Sequence, residues 1–320
     1  MRFDSISPAI KNDIISLIHT SPWRIFDRGI FVPCEKLADS ALTQIYEKQQ
    51  FNSEYSFAYL DDNNNLKGVL FAKELTIDDK PAIGIFILEA DRDDNFKQIV
   101  EDMLNELHRR AKSKAITTLQ LTPSQPLSSA VNIKDDELVD ILFKMGYWQN
   151  ITIAAEMRTE VSTWRPSEKI INREKELREK GIVFRKLQEN DWDAIIDFHE
   201  REHAHRSWTS LLEDVINEVG HKYIVIAEDI NNKKIIGYAT FFARTMFSEL
   251  PEFGPVMVDP EYRGLSISSI LMKYAVEMIK EIGKARQIQL SCYPNKFPVY
   301  TRQGYYFTHK YIFAATSKIK

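Results

Sequence analysis

Cysteine is nearly absent: Cys34 and Cys292 are the only two in 320 residues. Two thiols cannot build a disulfide framework, and they suit a reducing compartment. Long apolar runs are missing too, since none approaches the ~20 residues of a membrane span. The opening MRFDSISPAIKND has no apolar core of the kind a secretion signal carries. There is no basic excess. The formal net charge is −4, which removes the electrostatic reason to expect nucleic-acid binding. Short-period repeats and low-complexity tracts are absent as well. These absences point to a cytoplasmic protein that partners neither nucleic acid nor membrane.

What is present is enough apolar material for a packed interior, 44% of the residues, over a length that suits two domains. A long-period echo supports that division. The stretch LKGVLFAKEL (66–75) resembles IIGYATFFAR (235–244), each a strand-like run entered through Gly68 or Gly237. Likewise LFKMGYWQNITIAAEM (142–157) resembles YTRQGYYFTHKYIFAA (300–315), each with Gly-Tyr ahead of an alternating strand. A buried-looking strand, an amphipathic helix and another strand lie between the paired features both times. The expectation is two similar domains, 1–165 and 181–320, joined by a charged linker helix over 166–180.

In the second half, GIVFRKL (181–187) alternates as a first strand, and DWDAIIDFHERE and WTSLLEDVINEVG read as short helices. KYIVIAED and KKIIGYATFFAR read as a hairpin, and FGPVMV as the next strand. From Ile267 the apolar positions Ile270, Leu271, Tyr274, Ala275, Met278 and Ile279 form one helical stripe. RQIQLSC, a short turn or helix at KFPVYTRQG, and a closing strand YYFTHKYIFAA complete a mixed α/β unit on a central sheet.

The chemistry concentrates at GPVMVDPEYRGLSIS (254–268), a strand followed by Arg-Gly and a helix start. A helix N-terminus presents unpaired amides and a positive dipole end, so an anion settles there. Glycines help because the backbone must curl tightly and approach a phosphate without a Cβ in the way. Here only Gly264 remains, with Ser266 and Ser268 where further glycines would serve. Serine is small, caps helices and can bond a phosphate oxygen, and Arg263 adds charge.

The order of strand, hairpin, GPVMVDPEYRGLSIS, long helix, strand and YTRQGYYF resembles the GNAT superfamily of N-acetyltransferases over about residues 180–320. In that family the segment V-x-V-x-P-x-[YF]-R-G-x-G-x-[GA] binds the diphosphate of acetyl-coenzyme A. Val256, Val258, Pro260, Tyr262, Arg263 and Gly264 match it; Ser266 and Ser268 depart. The late box Y-x-[KR]-x-G-[FY] stands as Tyr300 to Tyr305, and Asn295 resembles the family's asparagine ahead of it, two residues closer than usual.

The resemblance implies two tandem GNAT-like domains of α/β (α+β) class, each a central mixed, mostly antiparallel sheet flanked by helices. It also implies acetyl-coenzyme A as co-substrate and an amine acceptor, small molecule or protein. Cofactor contacts then fall to Val256, Met257, Val258, Arg263, Gly264, Leu265, Ser266, Ile267, Ser268 and Asn295. The attacking amine must be neutral although its reference pKa is about 10.4, so a carboxylate should take its proton, directly or through water. Glu252 and Glu249 are the nearest acids in sequence, with solvated loop acids as the plain alternative for either. Amides near Val256 and Val258 can steady the oxyanion. The resemblance assigns protonation of the leaving thiolate to Tyr300.

The first half fails the same test. Its loop reads EADRDDN, with Glu89, Asp91, Asp93 and Asp94 at the start of an equally well-striped helix. Two charges 4 Å apart repel by about 1 kcal/mol in water and about 4 at intermediate dielectric. A helix terminus returns only about 0.3–2 kcal/mol. Diphosphate is therefore disfavoured, and Leu142 stands where Tyr300 stands in the second half. Residues 1–165 read as a degenerate copy.

HEREH (199–203) spells the helical zinc motif H-E-x-x-H, in which Glu would activate a metal-bound water. Charged Arg201 and Glu202, a short helix and no clear third ligand argue for a chance match, so no metal is expected. The region could instead touch the acceptor through His203, His205 and Trp208. A protein that binds acyl-coenzyme A without transferring the acyl group is the remaining alternative.

Overall fold

The computed structural model describes residues 2–20, 39, 42–43, 45–121, 131–202, 209, 212–213, 216–217, 220–242, 252–282 and 285–319; at 19, 20, 242, 252, 282 and 313 the description is of the backbone. It divides into two compact units. Of the described residues, those up to 155 and from 309 onward form the first, and those from 156 to 308 form the second.

The first unit opens with strand β1 (Arg2–Ser5), helix α1 (Lys11–Thr20), and strands β2 (Phe57–Leu60), β3 (Leu66–Ile77) and β4 (Lys80–Ala90). Helix α2 (Phe96–Ser113), strands β5 (Thr118–Leu121) and β6 (Val131–Asn132), helix α3 (Asp136–Lys144) and strand β7 (Gln149–Glu160), of which residues 149–155 belong to this unit, follow. In the second unit come α4 (Glu168–Glu179), β8 (Ile182–Lys186), α5 (Trp192–Arg201), β9 (Ile224–Asp229), β10 (Lys234–Phe242) and β11 (Glu252–Val258). Then come α6 (Ile267–Ile282), β12 (Gln287–Cys292), the short α7 (Phe297–Thr301) and β13 (Tyr306–Lys318), of which residues 306–308 belong to this unit.

Within each unit the sheet is mixed and mostly antiparallel. In the first, β1-β2-β3-β4-β5 lie in order, antiparallel except for the β4–β5 pair. In the second, β12-β11-β10-β9-β8 lie in order, antiparallel except for β11–β12. The stripe on α2 (Ile99, Val100, Met103, Leu104, Leu107) is fully buried against the first sheet. The stripe on α6 (Ile267, Ile270, Leu271, Ala275, Ile279) is buried in the same way in the second. Burial of each large aliphatic side chain in these stripes contributes roughly 1.5–3 kcal/mol.

The internal echo in sequence is an echo in structure. A Cβ on Gly68 would lie 2.8 Å from the Met103 sulfur, and one on Gly237 would lie 2.9 Å from the Met257 carbonyl. Gly68 therefore permits close packing of the buried helix α2, and Gly237 permits close approach of the neighbouring strand β11. The Asp91 amide donates to Lys67 O at 2.8 Å, and the Asp259 amide donates to Ile236 O at 2.9 Å. After α3 the Tyr147 amide donates to Leu142 O, and after α7 the Tyr305 amide donates to Tyr300 O.

The sequence reads YYFTHKYIFAA as the strand that closes the second half. In the structure its residues from His309 onward group with the first unit, where Tyr311 and Ile312 pair with β6 and residues 315–318 with β5. Alternation identifies a strand but does not name its partner, because both faces of a buried strand look alike in sequence. Helix α4 is also more than a charged connector. Ile170, Glu174 and Leu177 share one face and are buried within the second unit. Glu174 accepts bonds from Tyr274 Oη (2.6 Å) and Lys273 Nζ (2.9 Å) on α6. Burial alone would raise this carboxyl's pKa, but those bonds hold it below its ordinary value.

Candidate active site

The site is built where β11 ends. Val258 is followed by Asp259, whose buried carboxylate accepts the Glu261 amide at 2.9 Å and starts a single 3-10 turn, Pro260–Tyr262. Tyr262 Oη donates to Asp229 at 2.6 Å, and Lys234 Nζ lies 5.0 Å from its ring centre and 3.4 Å from Asp259. The turn is thus pinned from β9 and β10. Arg263 is exposed, its Nε 3.3 Å from Val258 O.

The chain then turns twice into the left-handed region, at Gly264 (φ +80) and at Ser266 (φ +66). Ser266 O accepts the amides of Ser269 and Ile270, both at 3.1 Å, so it ends the loop and begins α6. Among the described residues the amides of Leu265, Ser266, Ile267 and Ser268 have no backbone acceptor. A Cβ built on Gly264 would meet nothing within 4 Å, so the space beside Gly264 is open. A cradle of free amides at a helix start suits a phosphate group.

Serine at a left-handed position costs about 1 kcal/mol that glycine would not. Ser266→Gly is therefore expected to raise unfolding stability by about 0.5–1 kcal/mol in a denaturant titration. A loss of stability would show that the Ser266 hydroxyl holds the turn more strongly than its backbone strains it.

Beyond the single parallel pair Glu252↔Gln289, no β11–β12 pair is formed among the described residues, so β11 runs toward Val258 with a free edge. Val256 and Val258 pack toward the cluster beneath α6, whereas Met257 faces the cluster under α5. Gln289 is buried, yet neither atom of its carboxamide finds a partner. An orphaned buried amide calls for water or a ligand.

Tyr300 lies on α7, half-buried against the same core as Val256, Val258 and Leu265. Its ring meets that of Tyr305 edge-on at 5.9 Å. Burial, with Cys292 nearby, pushes its pKa up to about 12, so the phenol remains a proton donor throughout the neutral range. Burial likewise pushes the Cys292 thiol up to about 11, which keeps it from acting as a thiolate nucleophile. The turn after α7 is held by Trp164 Nε1 on Gln303 O (2.7 Å) and by Thr159 Oγ1 on Gly304 O (3.1 Å). Gln303 Nε2 in turn donates to Ser269 Oγ at 2.6 Å. That one bond joins the tyrosine box to the first turn of α6, and sequence alone gave no sign of it.

Other predicted residues stand apart or outside the description. Asn295 is exposed in the 3-10 turn Pro294–Lys296, and its side chain forms no hydrogen bond among the described residues. Glu249 lies outside the described residues, and so do His203, His205 and Trp208. Glu252 begins β11 opposite Phe242. His199 is buried, with Nδ1 2.8 Å from Thr209 Oγ1 and Nε2 3.0 Å from Tyr238 Oη. Both ring nitrogens are occupied by protein, and burial lowers the ring's pKa, as for a core histidine. No cluster of metal-ligating side chains is found among the described residues.

The matching loop of the first unit is filled by its own side chains. Asp93 accepts the Asn95 amide through its carboxylate (2.8 Å) and the Phe96 amide through its carbonyl (3.0 Å). Lys67 pairs with Asp91 (2.7 Å) and Asp93 (3.2 Å), and Arg92 is committed to buried Asp135 at 2.5 Å. Counting along the ladders from Gly68↔Ala90 and Gly237↔Val258, Gly84 holds the place of Glu252.

Residues 185–305 match the model of the acetyltransferase (GNAT) family. The second unit carries a GNAT domain. A search of curated protein sequences returned no match. Among solved structures, a GCN5-related glucosamine N-acetyltransferase region of a fungal multi-domain β-N-acetylglucosaminidase superposes with TM-score 0.70 at 12% identity. It is matched by 98% of this chain, which spans only 38% of that protein's length. A GCN5-related N-acetyltransferase from Sphaerobacter thermophilus gives TM-score 0.66 at 12% identity, with 100% and 96% of the two chains covered. A tandem GNAT protein from the clavulanic acid biosynthesis pathway gives 0.62 at 12% identity, with 100% and 98% covered. The chain has the tandem GNAT fold. The family draws its acyl group from acetyl-coenzyme A, and the open cradle at Gly264 with its free amides fits a diphosphate.

Proposed function

We propose that the second unit moves the acetyl group of acetyl-coenzyme A to a primary amine by direct attack, and that the first unit is a degenerate, non-catalytic copy. One observation carries this reading: the free amides of residues 265–268 continue from the unpaired edge of β11 and are tied through Ser269 and Gln303 to Tyr300.

In this mechanism the loop amides and Arg263 hold the diphosphate, while the edge of β11 at Val256–Val258 bonds the pantetheine arm. The same edge directs amide dipoles at the thioester oxygen, which favours the charge that develops there. Glu252 or Glu249 accepts the proton of the incoming ammonium, directly or through a water, so that a neutral amine attacks. Buried Gln289, in register with Glu252, supplies hydrogen-bonding atoms for such a water. Tyr300 Oη donates to the departing sulfur as the thioester C–S bond breaks.

A panel of amines offered with acetyl-coenzyme A, read by intact mass, tests the activity. Binding of the coenzyme with no product across small amines, polyamines, peptides and protein lysines would favour a carrier of acyl-coenzyme A over a transferase. Titration calorimetry should find one coenzyme per chain, because the first unit's loop amides are already bonded to Asp93. A stoichiometry of two would overturn the assignment of the degenerate copy.

A further inference from the structure

Helix α4 lies across the loop from α6. Lys169, Asn172, Arg173 and Glu176 of α4, with Gly264 and Ser266 of the loop, line a cavity of about 430 Å³. The helix is fixed there by the Glu174 bonds to Tyr274 and Lys273, so its charged face cannot swing away cheaply. Arg173 Nε donates to Leu265 O at 3.3 Å and its Nη1 to Glu176 at 2.6 Å, while Nη2 has no partner among the described residues. Lys169 is exposed and forms no ion pair among the described residues. The free amides of the loop are dipoles, suited to a shared diphosphate. The cation of Lys169 and the unpartnered Nη2 of Arg173 on a neighbouring helix suit a terminal phosphate.

Resting on the reading of this site as one for acetyl-coenzyme A, we infer that α4 forms a second phosphate subsite, in which Lys169, Asn172 and Arg173 take the 3′-phosphate of the coenzyme's ribose. Glu176 is the one acid in the cavity, and its pairing with Arg173 leaves Lys169 uncompensated. The coenzyme is chosen by its terminal phosphate as well as by its diphosphate. Dephospho-coenzyme A, which lacks only the 3′-phosphate, is the matched probe.

Calorimetry of the full chain with coenzyme A and dephospho-coenzyme A decides the matter. The native protein is expected to bind coenzyme A at least about tenfold more tightly, the weight of a charge-assisted contact. Lys169→Ala should remove most of that preference while leaving affinity for dephospho-coenzyme A unchanged. Arg173→Lys, which keeps charge but loses the fork, should reduce it in part. Lys169 is exposed on its helix, so its replacement leaves the fold intact. Equal affinity of the native protein for both ligands would overturn the inference and leave the diphosphate site standing. So would a Lys169→Ala variant that weakens both ligands alike. Failure of both to bind the native protein would overturn the coenzyme reading itself, and this inference with it.

Discussion

Tyr300→Phe is expected to slow acetyl transfer by about 10²–10⁴-fold, the usual weight of one general acid, with coenzyme affinity changed by less than about twofold. The substitution keeps the ring that meets Tyr305 edge-on. It removes a hydroxyl that bonds no described residue, so no buried partner is stranded. With the phenol's pKa pushed up to about 12, the native enzyme should show no falling limb from this group anywhere in the neutral range. Its rate should instead climb with pH as the acceptor amine loses its proton.

The same shift has a consequence for stability with a definite sign. A group whose folded pKa lies above its unfolded value of about 10 contributes stability that is complete below pH 10. That contribution fades as pH rises through about 12, and the phenylalanine variant lacks this part of the alkaline loss. Steady-state kinetics and alkaline melting of the two proteins check both halves. Equal transfer rates would remove Tyr300 as the acid.

The features that sequence made legible are those written in local pattern. The stripe from Ile267, the hairpin of β9 and β10, and the Gly-Tyr turns at 146–147 and 304–305 all stand where spacing put them. Each is fixed by periodicity or by a glycine at positive φ, and both signals are carried by near neighbours in the chain. The acidic loop of the first unit was legible as hostile to phosphate, but not that Asp93 would occupy the helix-start amides itself. What stayed hidden depends on distant pairs. Gln303 to Ser269 spans 34 residues, and Arg173 to Leu265 spans 92. A charged run such as REKELREK reads as a linker helix, because nothing in its own sequence says which carboxylate will be buried beneath Lys273.

Gly264→Glu is expected to lower coenzyme affinity by at least about 100-fold. Two effects act, one on stability and one on affinity. Any side chain at φ +80 costs about 1–2 kcal/mol of backbone strain, because Cβ crowds the following carbonyl. The new Cβ itself would enter empty space, with no atom within 4 Å, so the folded protein tolerates its volume. That same space is where a diphosphate would sit. A carboxylate about 4 Å from each phosphate charge repels it by about 1–4 kcal/mol, depending on how much water remains. Gly264→Ala separates the effects, since it carries the strain and the Cβ without the charge. Alanine should weaken binding by about tenfold and glutamate by far more, while both lower unfolding stability by a similar 1–2 kcal/mol or so. Calorimetry with coenzyme A, alongside denaturant titration of each variant, reads both. If glutamate binds as well as alanine, no phosphate charge lies over Gly264. If both bind as the native protein does, the cradle at residues 264–268 is not where the coenzyme is held.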